Sequence, residues 1–393
     1  MENKASTVKG RSVPQLRFPR YQDVWFEKRL SDLLTFKNGL NASKEDYGSG
    51  YKFINVLDII NNDFIDHDKI IGSVNVSEVE FQKNIVEYGD ILFQRSSETR
   101  EEVGQANVYL DKEVPATFGG FVIRGKKKTD YDPIFLNFLL KTATARKEIT
   151  SKSGGSTRYN VGQDTLCSVL IKTTVIEEQT KIAKFLTAVD KRIKLLQEKK
   201  AALELYKKGV MQKVFNQELR FKDGNGNNYP DWEEKKLGEV LSIGSGRDYK
   251  HLKSGNIPVY GTGGLMLFVN DFLYDGESVC IGRKGTIDKP IFLKEKFWTV
   301  DTLFYTHSFK KVMPYFIYLI FQQIHWYNFN EASGVPSLSK STLEKIKIEI
   351  PSLPEQQKIA NFLLAIDRSI NQVDKQVGSM QEWKKGLLQK MFV

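Results

Sequence analysis

The sequence predicts a chain of mixed α/β (α+β) class: two tandem α/β domains joined by a long antiparallel two-helix coiled coil, in a pseudo-two-fold arrangement. Three observations predict it. The second half of the chain repeats the plan of the first, the stretches between the repeated blocks switch to short alternating runs, and a heptad persists through both copies of one block.

The repeat is read directly. WFEKRLSDLLTFKNG at Trp25 to Gly39 aligns without a gap on WEEKKLGEVLSIGSG at Trp232 to Gly246. EQTKIAKFLTAVD at Glu178 to Asp190 aligns on EQQKIANFLLAID at Glu355 to Asp367, and KKGVMQKVF at Lys207 to Phe215 aligns on KKGLLQKMF at Lys384 to Phe392. Blocks matched in the same order around divergent centres indicate a tandem duplication whose centres were free to change. At 393 residues the chain is long enough for two substantial cores. The expected division is an N-terminal arm (1–17), a first domain (18–175), a central helix (176–216), a second domain (217–353, of which 217–230 is a turn-rich linker) and a C-terminal helix (354–393).

Within the first domain, Tyr51 to Ile59, Gly89 to Ser96 and Phe118 to Gly125 read as strands, rich in β-branched and aromatic residues and bounded by Gly, Asn and Asp. A helix is expected over Pro133 to Ile149, with the proline in its first turn. The second domain follows the same pattern. Asn256 to Gly264, Glu277 to Gly285 and Phe297 to His307 read as strands and Pro314 to Ile324 as a helix, its aromatic stripe a piece of core.

The coiled-coil seam is expected at Ile182, Val189, Leu196, Leu203 and Val210, matched by Ile359, Ile366, Val373, Met380 and Leu387, one apolar residue every seven. Leu186, Ile193, Val214, Leu363, Ile370, Val377 and Met391 fill the alternate row, which Lys200, Lys207 and Lys384 interrupt. The first helix delivers the chain to the second domain and the second starts there, so pairing requires them to run antiparallel. At 1.5 Å per residue, Glu178 to Phe215 would be roughly 57 Å long.

Composition bounds the partner. Lys and Arg outnumber Asp and Glu by 58 to 48, a net charge of +10 with pI near 9.2, which favours a polyanion such as nucleic acid over an acidic substrate. Cys167 and Cys280 are too few for a metal cluster and fit a reducing cytoplasm. His67, His251, His307 and His325 show no ligand spacing, so no metal site is expected. The first residues carry no apolar run of signal-peptide length, and Tyr315 to Phe321 is far short of a membrane span, so no membrane partner is expected. On duplex DNA, two related heads about one helical turn apart, roughly 34 Å, would read two blocks of about 3 to 5 bp around an unread gap of about 6 bp. Because the heads differ, such a target would not be palindromic.

The paired W-x-E-K-[RK]-L starts, the paired E-Q-x-x-I-A-x-F-L helix openings after Ile176 and Pro354, the K-K-G-x-[ML]-Q-K-x-F endings, GDILFQRS and SGGSTRYNVGQDTL together resemble the specificity (S) subunits of bacterial type I restriction-modification enzymes. The resemblance covers nearly the whole chain. It implies that the two domains are target recognition domains, each reading half of an asymmetric bipartite sequence in double-stranded DNA. It further implies that the helices set the spacer and dock two modification (M) subunits, which carry S-adenosylmethionine chemistry on adenine, with restriction (R) subunits added in the full complex. The expected location is the bacterial cytoplasm.

No catalytic residue is expected on this chain. The sequence has no N-P-P-Y or D-P-P-Y element to hold a flipped adenine and no G-x-x-x-x-G-K-[ST] phosphate loop. Ile243 to Arg247 and Gly261 to Gly264 imitate nucleotide loops but lack a strand-loop-helix context, so turns are the better reading. For DNA contact the candidates are Arg95, Ser96, Arg100, Lys152 and Arg158 in the first domain and Tyr260, Thr262, Arg283, Lys284 and His307 in the second. Arginine on a scaffolded turn matches guanine bidentately, and small residues around 153–157 let backbone amides approach phosphate. Arg95 and Arg283 stand in parallel places, each shortly after a Gly-acid turn and an apolar strand. Each of these residues also admits the plainer reading of a solvated surface group, as do Asp301 and the helix cations Lys191, Arg192, Lys194, Lys199 and Lys200, candidates for tracking phosphate. Two competing functions remain open on sequence: a structural adaptor between two protein-binding heads, and a self-contained methyltransferase or nuclease.

Overall fold

The structure, a computed structural model, describes residues 13–393; most of the expected N-terminal arm, residues 1–12, lies outside the described residues. The chain forms two compact units, the first running to Leu196 and including Lys375–Val393, the second spanning Gln197–Asp374.

In the first unit a four-stranded antiparallel sheet has the order Leu34–Asn38, Val122–Lys127, Ile91–Gln94, Ala106–Val108. A three-stranded sheet places Tyr47–Ile54 between Ser73–Val74 and Thr117–Phe118, and Phe26–Arg29 pairs with Leu170–Thr173. The strand Ile91–Gln94 is buried on both faces. Ile91 and Phe93 join the core under the helix Pro133–Leu140, while Leu92 joins a second cluster with Ile54, Ile59 and Phe118. That is why the run ILF reads as continuously apolar rather than alternating.

The second unit repeats this plan. Its four-stranded sheet has the order Ser242–Ser245, Leu303–His307, Ser278–Gly282, Ile291–Leu293, its three-stranded sheet centres on Ser254–Gly261, and Glu233–Lys236 pairs with Lys347–Ile350. The mixed α/β class and the repeated domains expected from sequence are thus present.

Several expected elements end early, each for a local reason. The strand expected over Tyr51 to Ile59 stops at Ile54, and Val56–Ile60 is a short helix because the Asn55 amide donates to Asp58 Oδ2 at 2.7 Å, closing its first turn. The helix expected over Pro133 to Ile149 is two helices. Asp132 caps the first through the amides of Ile134 and Phe135, and Thr142 starts the second, Ala143–Ser151, by accepting from the Ala145 amide at 3.3 Å. Phe118 to Gly125 and Phe297 to His307 each contain two strands separated by a three-residue turn, 119–121 and 300–302.

The helices Ile176–Phe215 and Leu353–Met391 pack together as a coiled coil. Ion pairs fix their sense: in the second unit Lys200 meets Asp374 at 2.6 Å and Lys207 meets Asp367 at 2.7 Å, so one helix rises as the other falls. In the first unit Lys384 meets Asp190 at 2.5 Å. The three lysines that interrupt the apolar row are therefore each matched by an aspartate on the opposing helix. Of the seam residues, Ile182, Val189, Leu196, Val210, Ile359, Ile366, Val373 and Leu387 are buried, and Leu203 and Met380 are half-buried.

The E-Q openings of both helices perform the same two tasks. Glu178 and Glu355 are fully buried and receive bidentate guanidinium donation, Glu178 from Arg17 at 2.7 Å and Glu355 from Arg220 at 2.8 and 3.2 Å. Gln179 Oε1 accepts from the Asp132 amide and Gln356 Oε1 from the Met313 amide, which locks each long helix to the N-terminus of a core helix. The arginines belong to a repeat that sequence reasoning missed, Leu16-Arg17-Phe18 and Leu219-Arg220-Phe221. Phe18 packs edge-on against Phe185, and Phe221 packs against Phe362. Each unit also closes an aromatic triad, Trp25, Phe135 and Phe392 in one and Trp232, Phe316 and Phe215 in the other, with ring centroids 5.5 to 6.1 Å apart. The Leu219 amide donates to Lys213 O within a continuous stretch of chain, whereas the Leu16 amide donates to Lys390 O across the sequence. Among the described residues, no helix is long and apolar enough to cross a membrane.

Candidate nucleic-acid interface

In the second unit Arg283 directly follows the strand Ser278–Gly282, and backbone bonds on both sides hold this residue. The Arg283 and Lys284 amides donate to Thr302 O at 2.7 and 3.3 Å, and the Leu338 amide donates to Arg283 O at 2.9 Å. The Gly285 amide donates to Pro336 O, and a Cβ at Gly285 would stand 3.7 Å from Thr262 Oγ1. Four sequence-distant turns, carrying Thr262, Arg283, Thr302 and Pro336, therefore meet at one end of the sheets. Both cationic side chains there are exposed, and the guanidinium of Arg283 lies 5.9 Å from the Phe304 ring.

The first unit builds the same cluster from different residues. The strand Ile91–Gln94 is followed by Arg95, whose amide donates to Phe121 O at 2.9 Å and whose carbonyl accepts from the Val161 amide at 2.9 Å. The bonding frame of Arg95 thus coincides with that of Arg283: Phe121 takes the place of Thr302, and Val161 the place of Leu338. The Arg95 guanidinium donates to Gly120 O at 3.2 Å, which aligns it along the 119–121 turn. Ser96 pairs in register with Asn160, and the hairpin joining Gly154 to Asn160 exposes Arg158 beside them.

Other candidates stand elsewhere. Arg100 donates to Thr150 O and Ser151 O, and Lys152 to Ser168 O at 2.7 Å with Glu148 3.0 Å away, so both serve the C-terminal end of the helix Ala143–Ser151. Tyr260 lies in the strand leading to the Thr262 turn, half-buried, and burial pushes its phenol up. His307 occupies the far end of the strand whose first residue, Leu303, pairs with Gly282, so it lies about 13 Å along that strand from the Arg283 cluster. Its imidazole packs near Tyr305 and Tyr274, and burial, with Lys340 nearby, pulls its pKa down.

Sequence reasoning missed Arg146, which donates to Gly104 O at 2.5 Å, Val103 O at 2.6 Å and Glu101 O at 3.0 Å and so fixes the loop after Arg100. Burial pushes its guanidinium down to about 10. It sits in an ordinary polar helix face, and no sequence pattern marks it. Arg17 and Arg220 were detectable, because Leu-Arg-Phe recurs shortly before each frame tryptophan.

A sequence profile described as the type I restriction modification DNA specificity domain matches residues 22–205 and again 229–377. The chain belongs to this family. The family's two matched segments fall on the two repeats, in keeping with the resemblance read from the paired helix openings. Among specificity-subunit relatives, the chain is 25% identical to a putative type I restriction enzyme MjaX specificity subunit of Methanocaldococcus jannaschii over 93% of this chain and 92% of that one. It is 26% identical to the MjaIX specificity subunit of the same organism, again over 93% and 92%. The type I S subunit from M. genitalium shares the fold, with a TM-score of 0.61 at 18% identity over 97% of this chain and 99% of that one. So does the HsdS subunit from Thermoanaerobacter tengcongensis, with a TM-score of 0.51 at 14% identity over 94% and 96%.

Proposed function

We propose that this chain is the non-catalytic sequence-recognition subunit of a type I restriction-modification complex, each domain reading one half of an asymmetric bipartite target in double-stranded DNA. The observation that carries this reading is the shared bonding frame of Arg95 and Arg283, surrounded by unlike side chains in the two units. Two copies of one scaffold holding different chemistry suit a target with two different halves. A net charge of +10 supplies the sequence-independent attraction to phosphate. Arg283 and Lys284 are the base-edge candidates of the second half-site and Arg95 that of the first, with Arg158 placed for phosphate. In this reading the coiled coil sets the unread gap and docks two modification subunits, restriction subunits join the full complex, and S-adenosylmethionine binds on the modification partner. The complex would act in the cytoplasm. The missing adenine-flipping and phosphate-loop motifs favour a chain that directs chemistry performed by its partners.

The test is to express the chain with its modification partner in a methylation-free host and map the modified adenines. A split, asymmetric motif with a fixed gap is expected. A continuous or palindromic motif overturns the reading, and methylation by the isolated chain overturns its non-catalytic part.

A further inference from the structure

We infer that Phe121 is a specificity-determining residue of the first unit that reads the C5-methyl group of a thymine in the major groove; this rests on the DNA-recognition reading above. Phe121 is 64% exposed although it belongs to a tightly built turn. Its carbonyl accepts from the Arg95 amide, the Arg95 guanidinium holds the preceding carbonyl, and a Cβ at Gly119 would stand 2.8 Å from the Phe53 ring. The turn leaves little room there, and the two bonds from Arg95 hold the backbone beneath Phe121 while its ring stays exposed. Two other large apolar side chains, Leu57 at 63% and Ile71 at 91% exposure, line the same open cavity of about 610 Å³.

Contiguous exposed apolar surface on a rigid scaffold marks a contact site, and here it is continuous with the Arg95 turn. On a major-groove edge the apolar group on offer is the thymine methyl. The second unit supplies the internal contrast. Thr302, whose carbonyl accepts from the Arg283 amide as Phe121's accepts from Arg95, is polar, and its neighbour Asp301 stands where the first unit has Gly120. The same scaffold position is thus apolar in one domain and hydrogen-bonding in the other, which is what a reader of two different base edges requires.

The experiment uses the chain assembled with its modification subunits and duplexes carrying the mapped target, in which each thymine of the two specified blocks is replaced in turn by deoxyuridine. At one position of one block, wild-type binding is expected to fall roughly four-fold, the effect of losing one buried methyl. Phe121→Ala is expected to bind the thymine duplex as weakly as wild type binds the deoxyuridine one and to be indifferent to the replacement, while Phe121→Leu retains the sensitivity. The inference is overturned by a target with no thymine in either block, by a wild-type complex indifferent to every replacement, or by Phe121→Ala keeping full sensitivity. It is equally overturned if Phe121→Ala abolishes assembly, which would assign the patch to a protein partner. A complex that binds DNA without sequence preference refutes instead the recognition reading on which the inference rests.

Discussion

The Lys384 ammonium lies 2.5 Å from Asp190 Oδ1 and 5.5 Å from the Phe138 ring, bridging the two long helices within the first unit. Lys207 and Asp367 repeat the pair in the second unit with the helices exchanged, at 2.7 Å. Burial raises the Asp190 carboxyl and Lys384 opposes that shift, so the charges depend on each other. With both side chains about one quarter exposed, Lys384→Met should cost about 1–2 kcal/mol, between the values for exposed and buried pairs. The exchange Asp190→Lys with Lys384→Asp should recover most of it in denaturant unfolding. An additive double mutant would mean that the pair does not set register.

Glu178 and Glu355 have no exposure, and each depends on a single arginine for its bidentate pairing. Arg17→Ala should destabilise the first unit, and Arg220→Ala the second, by roughly 3–5 kcal/mol, because each leaves a buried carboxylate uncompensated. Hydrogen exchange measured unit by unit should show the loss confined to the unit that carries the substitution. Uniform loss in both would contradict this assignment.

Asp90 is 1% exposed, and burial holds its carboxyl above the ordinary 3.8 even though the Glu87 and Lys127 amides donate to it. The folded chain therefore holds this proton more tightly than the unfolded chain. The resulting stabilisation is complete below pH 3.8 and disappears as pH rises through the elevated folded value. Asp90→Asn should flatten that segment of the stability-against-pH curve, measured by chemical denaturation. A slope unchanged by the substitution would show that Asp90 is not its source.

Arg283→Ala should relax or weaken one half-site only, by about 1–3 kcal/mol if a bidentate guanine contact is lost. Binding assays on duplexes mutated in one half at a time would reveal it. Equal loss across both halves, with a shallower salt dependence, would instead mark Arg283 as a phosphate contact.

The frame of this fold was legible in sequence because it is written in periodic apolar residues. The heptad from Ile182 to Val210 and its copy from Ile359 to Leu387 announce a helix pair, and the matched tryptophans announce a duplication. The end of the strand at Ile54 was not legible, since Val56 to Ile60 is as apolar and β-branched as a strand; only the Asn55–Asp58 bond turns it into a helix. The recurrence of Leu-Arg-Phe was detectable, but its role was not: nothing in so short a motif says that Arg17 and Arg220 reach the buried Glu178 and Glu355 far along the chain. The equivalence of Phe121 with Thr302 leaves no trace in residue identity, because backbone bonds to Arg95 and Arg283 define it.

The triad of Trp25, Phe135 and Phe392 and the bond from Leu16 to Lys390 bear on the order of biosynthesis. A ribosome releases Gln197–Asp374 as one uninterrupted stretch, so the later domain can condense while the earlier one still waits for residues 375–393 to cover Ile182 and Leu186. A chain lacking Phe392 would leave Trp25 and Phe135 without the third ring of their triad, exposing apolar surface in the first unit.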